Sequence, residues 1–241
     1  MTHFVLVHGA WHGGWCWDDV RAELRRAGHD TVAPTLTGLA DRAGRLDRRT
    51  GLETHIQDVV AGTKSDDVTL VGHSYGGMVA VNAAARMAGQ VRRVIVVDGF
   101  LPERGEAAID LLPDAAAAHY RAAATAQGDG WRIPPRPLAN LGVTDAKVIA
   151  AATPLLTPHP LKSYLEASPS GASELSVKGA YLLCSGWATP FRRFAERAAG
   201  LGWAVRELDG DHEVLLTAPE LLAGALAEIA ATVGAESGQG E

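Results

Sequence analysis

Gly72-His73-Ser74-Tyr75-Gly76 is the stretch on which the reading of this chain turns. The pentapeptide matches G-x-S-x-G, and it stands where the apolar run 67–72 gives way to an Ala-rich stretch, 75–88, with helical character. A strand that turns this sharply into a helix leaves no space for bulky side chains at positions 72 and 76, and both are glycine. The same turn holds the serine exposed above a helix N-terminus, whose positive partial charge favours an anion forming there.

Outward from the pentapeptide, strand and helix alternate on both sides. Upstream lie strand 3–8, an amphipathic helix 16–27 that stops at Gly28, strand 30–33 and helix 52–63; downstream comes strand 92–97, Arg-Arg-Val-Ile-Val-Val. After Gly99 the alternation stops, and 104–177 carries Pro, Ala and Gly clusters with short helical pieces and no strand of comparable strength. It resumes with strand 178–184, helix 189–200, strand 203–208 and helix 217–233, before a polar tail from Glu236 that is expected to be disordered. Continuous apolar strands separated by helices imply an α/β fold with a mostly parallel, doubly wound sheet. The expected organisation is a core of 1–103 and 178–241, with 104–177 inserted as a cap after the strand ending near Asp98. Ligands of such sheets bind beyond the carboxyl ends of the strands, so chemistry is sought just after residues 8, 73, 98, 184 and 208.

Bulk properties narrow the classes. The 241 residues suit one large domain, and 47% apolar content suits a globular enzyme. No apolar run approaches the roughly 18 residues that span a bilayer, and the N-terminus enters a strand without a signal-peptide pattern, so the expected compartment is the cytoplasm. A net charge of −6 gives no basic footprint for nucleic acid, and the Arg-containing run 42–49 reads as a solvated loop. Cys16 and Cys184 read as core thiols. No metal site and no cofactor are expected. The expected partner is a small-molecule substrate, not nucleic acid or a membrane, with a homodimer left open. High Ala and Arg usage is what a GC-rich bacterial genome encodes.

A serine hydroxyl is a weak nucleophile and needs a base within hydrogen-bond reach. Of nine histidines, His212 has the right address, after the last expected strand in Gly210-Asp211-His212. His8 and His73 adjoin the site but read as structural; His29, His55, His119 and His159 have no motif context. An oxyanion needs preorganised donors, and the tight loop His8-Gly9-Ala10-Trp11 can supply one, so the backbone N–H groups of Ala10 and Tyr75 are the candidates. Trp11 is placed to line the pocket, and Tyr120 or Trp131 to roof it.

The segment Phe4-Val-Leu-Val-His-Gly-Ala-Trp-His-Gly-Gly-Trp-Cys-Trp17 resembles the N-terminus of plant methyl-ester hydrolases of the salicylate methylesterase type, of hydroxynitrile lyases and of their bacterial relatives. The likeness continues through Leu36-Thr-Gly, Gly72 to Gly77, Asp98-Gly-Phe-Leu-Pro102, Asp211-His212 and Pro219-Glu220, and is loose in 104–177. It implies the α/β-hydrolase fold. Related hydroxynitrile lyases carry a threonine in the oxyanion loop and a lysine after the catalytic histidine; here Gly9 and Glu213 stand there, and a carboxylate opposes a cyanide anion, which favours ester hydrolysis. The plant relatives place an aspartate after the strand that follows the cap, yet Leu183-Cys-Ser-Gly-Trp-Ala188 has no carboxylate. Asp98 occupies the place where some haloalkane dehalogenases put their triad acid; Asp211, Asp209 or no acid at all are the alternatives.

The expected function is a serine esterase, of methylesterase or lactonase type, acting on a small uncharged, apolar or aromatic ester through an acyl-serine intermediate. The alternative keeps Ser74 and His212 as acid/base groups of a lyase or cyclase working on a natural-product intermediate. A non-catalytic ligand receptor on the same scaffold is the third reading, against which an intact nucleophile and base weigh.

Overall fold

The computed structural model describes residues 1–232. Its first part alternates as β1 (His3–Val7), α1 (Asp18–Arg26), β2 (Asp30–Val32), α2 (Leu52–Gly62), β3 (Val68–His73), α3 (Gly76–Arg86) and β4 (Val91–Val97). Then come α4 (Asp114–Gln127), β5 (Arg132–Ile133), α5 (Ala146–Ala152), β6 (His159–Pro160) and α6 (Leu161–Leu165). The chain closes with β7 (Ala180–Cys184), α7 (Arg192–Gly200), β8 (Ala204–Leu208), α8 (Val214–Thr217) and α9 (Pro219–Ala231). Six strands form a parallel sheet in the order β2-β1-β3-β4-β7-β8, and β5 pairs with β6 antiparallel.

The central strands β1, β3 and β7 are buried on both faces, which is why they read as nearly continuous apolar runs, while β8 at the edge is exposed over Ala204–Glu207. Successive residues of β1 point to opposite sides. Phe4 and Leu6 pack with Val20 and Leu24 of α1 and Leu222 and Leu226 of α9, while Val5 and Val7 pack with Ile56 and Val59 of α2 and Val79 of α3. Helix α1 has Asp18 and Asp19 in its first turn and Arg25 and Arg26 in its last, complementing the helix dipole, and Gly28 follows it at φ +83°.

The strand order reverses between β1 and β3, so the loops leaving their carboxyl ends part and open a crevice. Those are the loops that contain Gly9-Ala10 and Ser74. Above them lies the chain between β4 and β7, whose Leu138, Leu141, Val143 and Ala152 form a small apolar cluster of their own. Hydrogen bonds tie it to the loop after β1: the Trp11 indole N–H donates to the Ile133 carbonyl at 3.1 Å, and the Thr157 N–H and hydroxyl donate to the Trp11 carbonyl at 2.9 and 3.4 Å.

Some expectations need correction. The helix expected at 217–233 starts at Pro219, whose missing N–H suits a first turn, with the unexpected short α8 before it, and residue 233 lies outside the described residues. The helix expected from 189 starts at Arg192. Within the run read as a solvated loop, Ala40–Arg45 forms a 3-10 turn, and half-buried Arg42 spans the Thr35 carbonyl at 2.6 Å and the Asp58 carboxylate at 3.0 Å. The tail from Glu236 lies outside the described residues. Both cysteines are buried and free. No helix among the described residues is long and apolar enough to cross a membrane, and they contain no cluster of His, Cys, Asp or Glu fit to hold a metal ion.

Candidate active site

Ser74 sits between β3 and α3 at φ +54°, a backbone conformation that L-residues seldom adopt and that costs of order 1–3 kcal/mol. Glycines on the neighbouring chain permit it. A Cβ on Gly76 would stand 2.4 Å from the Val7 carbonyl oxygen, and a Cβ on Gly9 would stand 2.9 Å from Cβ of Ser74. The tight turn and the loop after β1 therefore touch, and Ala10 and Tyr75, the residues expected to give the oxyanion amides, directly follow Gly9 and Ser74. Tyr75 itself is fully buried: its hydroxyl donates to His55 Nδ1 at 2.9 Å, and its ring stacks on Tyr164 at 5.4 Å. A buried side chain anchors this amide.

The Ser74 hydroxyl reaches His212 Nε2 at 3.0 Å, and His212 Nδ1–H donates to Asp98 Oδ2 at 2.7 Å. His212 comes from the loop after β8 and Asp98 from the end of β4, at φ +38°. Asp98 is fully buried and accepts three further hydrogen bonds: Trp187 Nε1–H at 2.9 Å, the Thr189 hydroxyl at 3.0 Å and the Cys184 N–H at 3.3 Å. These donors engage both carboxylate oxygens and fix the group's orientation toward His212. The other two candidate acids lie elsewhere. Asp209 is exposed, and Asp211 accepts from the Glu213 N–H at 2.8 Å and the Thr217 hydroxyl at 3.2 Å within its own loop. Burial opposes charging of His212, but the hydrogen bond and charge of Asp98, with the charges of Glu213 and Asp211, outweigh it and raise the imidazole above its ordinary value.

His73 and His8 are buried beside the site. His73 Nε2–H donates to the His212 carbonyl at 2.8 Å, and His8 donates from Nδ1 to the Gly9 carbonyl at 2.8 Å while its Nε2 accepts from the Leu36 N–H at 3.0 Å. Both rings hold backbone. Glu213 is 1% exposed and within ion-pair distance of His12, not among the residues that line the cavity over Ser74.

That cavity has a volume of about 30 Å³ and is lined by Trp11, Ser74, Phe100, Leu112, Tyr120, Arg136, Leu141, Tyr164, Trp187, Pro190, Phe191 and His212. Trp11, at φ +68°, meets Tyr120 edge-on at 5.8 Å, so these two expected lining residues come together. Trp131 does not line it. Its ring is half-buried between the guanidinium groups of Arg48 and Arg132, 5.4 and 5.3 Å away, a cation–π pairing that holds it outside. Phe191 stacks on the His212 ring at 5.4 Å, and Trp187 lies 5.0 Å from it. Phe191, Arg136, Tyr164 and Phe100 were missed from sequence. For Trp187 and Thr189 a signal existed: the loop after β7 offers hydrogen-bond donors where the plant pattern has an acid.

The Alpha/beta hydrolase family model matches residues 4–225 of the chain. A carbendazim hydrolyzing esterase of Nocardioides sp. (strain SG-4G) is 38% identical over 95% of this chain and 100% of its own length. Methylesterase 7 of Arabidopsis thaliana is 36% identical over 42% of this chain and 40% of its own. Among solved structures, an extracellular alpha/beta-hydrolase from a Paenibacillus species superposes with a TM-score of 0.80 at 22% identity, covering 95% of this chain and 98% of that one. Polyneuridine aldehyde esterase gives 0.78 at 21%, over 95% and 99%.

Proposed function

The chain belongs to the alpha/beta hydrolase family and is a carboxylic ester hydrolase; from that premise we propose that it cleaves a small uncharged, apolar or aromatic ester through an acyl-serine on Ser74. The carrying observation is the continuous set of contacts from the Ser74 hydroxyl to His212 Nε2, 3.0 Å, and from His212 Nδ1 to Asp98, 2.7 Å. His212 takes the serine proton as the alkoxide attacks the carbonyl carbon, and the Ala10 and Tyr75 amides bind the oxyanion. The imidazolium, stabilised by Asp98, then protonates the departing alcohol. Water, deprotonated by His212, repeats the sequence and releases the acid.

In this reading 104–177 is a cap that supplies Leu112, Tyr120, Arg136, Leu141 and Tyr164 above the serine, and the aromatic lining supports an aromatic or alicyclic acyl group. The relative of Nocardioides supports carbendazim as a member of the substrate panel, beside methyl esters and lactones. The test is labelling with a fluorophosphonate and turnover of 4-nitrophenyl acetate by the wild type, Ser74→Ala and Asp98→Asn. Labelling and turnover are expected to vanish in Ser74→Ala, and turnover to fall by about 10⁴ in Asp98→Asn, by analogy with other triads. A folded wild type that neither labels nor turns over ester moves the assignment to lyase or cyclase chemistry at the same serine and histidine.

A further inference from the structure

The chemistry above leaves one buried titratable pair unused. His12 and Glu213 are 2% and 1% exposed, and His12 Nε2 stands 3.4 Å from Glu213 Oε2. On its other side, His12 Nδ1–H donates to the carbonyl of Ala10 at 2.8 Å. Ala10 carries one amide assigned to the oxyanion, and Glu213 directly follows the assigned base. The imidazole is thus flanked by two acceptors, a carbonyl and a carboxylate. With its single proton on Nδ1, a neutral ring would aim the Nε2 lone pair at a carboxylate oxygen, and neither of these two atoms has a hydrogen-bond partner among the described residues. One more proton between them resolves the conflict, and an imidazolium facing a carboxylate uses both ring N–H groups.

No neighbour takes the counter-charge role. Burial depresses His8, at the end of β1, to about 3 and holds His73, at the end of β3, well below its ordinary value, so both are neutral. Burial keeps Cys16, in the turn before α1, and Cys184, at the end of β7, as thiols. Asp211 is an acid, and His212 already faces Asp98. His12 also packs on the Trp15 ring, with centroids 5.5 Å apart.

We propose that His12 and Glu213 form a buried ion pair that fastens the oxyanion loop to the loop carrying His212, so that the Ala10 amide and the catalytic imidazole keep one spacing through the reaction. Both are positioning residues, and the inference rests on the acyl-serine reading above. The charge of Glu213 also favours the protonated form of His212.

The test measures kcat per titrated site, KM and the pH profile of kcat/KM for Glu213→Leu, Glu213→Gln, His12→Phe and the Leu/Phe double variant, with Ser74→Ala alongside. Glu213→Leu and His12→Phe are each expected to lower kcat by about tenfold or more with KM within about twofold, since misplacing a catalytic group affects the transition state first. The double variant falls no further than the worse single one, because the pair acts as a unit. Glu213→Gln, whose amide can donate to a neutral His12, recovers most of kcat but moves the acid limb down by about half a pH unit or more. Wild-type kcat in folded Glu213→Leu, or an unmoved acid limb in Glu213→Gln, overturns the proposal. If Glu213→Leu does not fold, the limb of Glu213→Gln decides. Full turnover by Ser74→Ala would sink the acyl-serine reading itself, whereas a dead Ser74→Ala beside wild-type-like Glu213 variants sinks only the pair.

Discussion

His212 is buried and yet more basic than an ordinary histidine, because the bonded carboxylate of Asp98 outweighs the desolvation that opposes its charge. In the proposed mechanism His212 is the base and works only when neutral, so activity is expected to be lost as pH falls through the raised value. The acid limb of kcat/KM is therefore expected above pH 6.5 in a pH–rate series, and Asp98→Asn is expected to move it downward by removing that charge. That Ser74 and His212 stand together, 3.0 Å apart, was legible in the sequence because a sharp turn and an address after the last strand constrain both positions. Asp98 was legible only as one of three acids. Nothing in the sequence records that Asp211 spends its oxygens on its own loop, or that Asp209 faces water.

The loop from β7 to α7 supplies hydrogen-bond donors to Asp98. Thr189 and Trp187 together hold both oxygens of Asp98 and so fix the imidazole at one remove. Thr189→Val leaves Oδ1 with only the longer Cys184 N–H bond, 3.3 Å, and is expected to lower kcat/KM by about three- to tenfold while costing about 1–3 kcal/mol in a urea titration. Unchanged values in both assays would show that Cys184 and Trp187 suffice. At this scale the core elements were readable because strands buried on both faces leave continuous apolar runs. The chain between β4 and β7 was not: β5, β6 and α6 are too short to carry periodicity, and the 14-residue α4, longer than the short helical pieces expected, is Ala-rich with only Tyr120 and Ala124 buried, so no apolar stripe marks it.

Histidines buried as neutral rings give the whole molecule a pH dependence distinct from that of the site. Burial depresses His8 to about 3 and His55 to about 4 from the ordinary 6.5, and acts in the same direction on His73 and His159. Between pH 6.5 and about 4 the unfolded chain binds protons that these rings refuse in the folded one. Their contribution to stability is thus complete above 6.5 and is lost as pH falls below it, by up to about 1.4 kcal/mol per pH unit for each ring. His212, raised instead, contributes in the opposite direction. Urea midpoints at pH 7, 6 and 5 are expected to fall steadily, and His55→Gln to flatten the slope; a flat series in the wild type would contradict the neutral assignment. The space over Ser74 is narrow, about 30 Å³, against the roughly 300 Å³ or more of typical small-molecule sites. Ester entry is therefore expected to need Leu112, Tyr120, Arg136 and Leu141 to part, and if the parted form is the minor one the apparent dissociation constant exceeds the intrinsic one by the reciprocal of its population. For highly activated esters, opening rather than acylation then limits capture, so kcat/KM should stop responding to the leaving group and should decline as sucrose thickens the solvent.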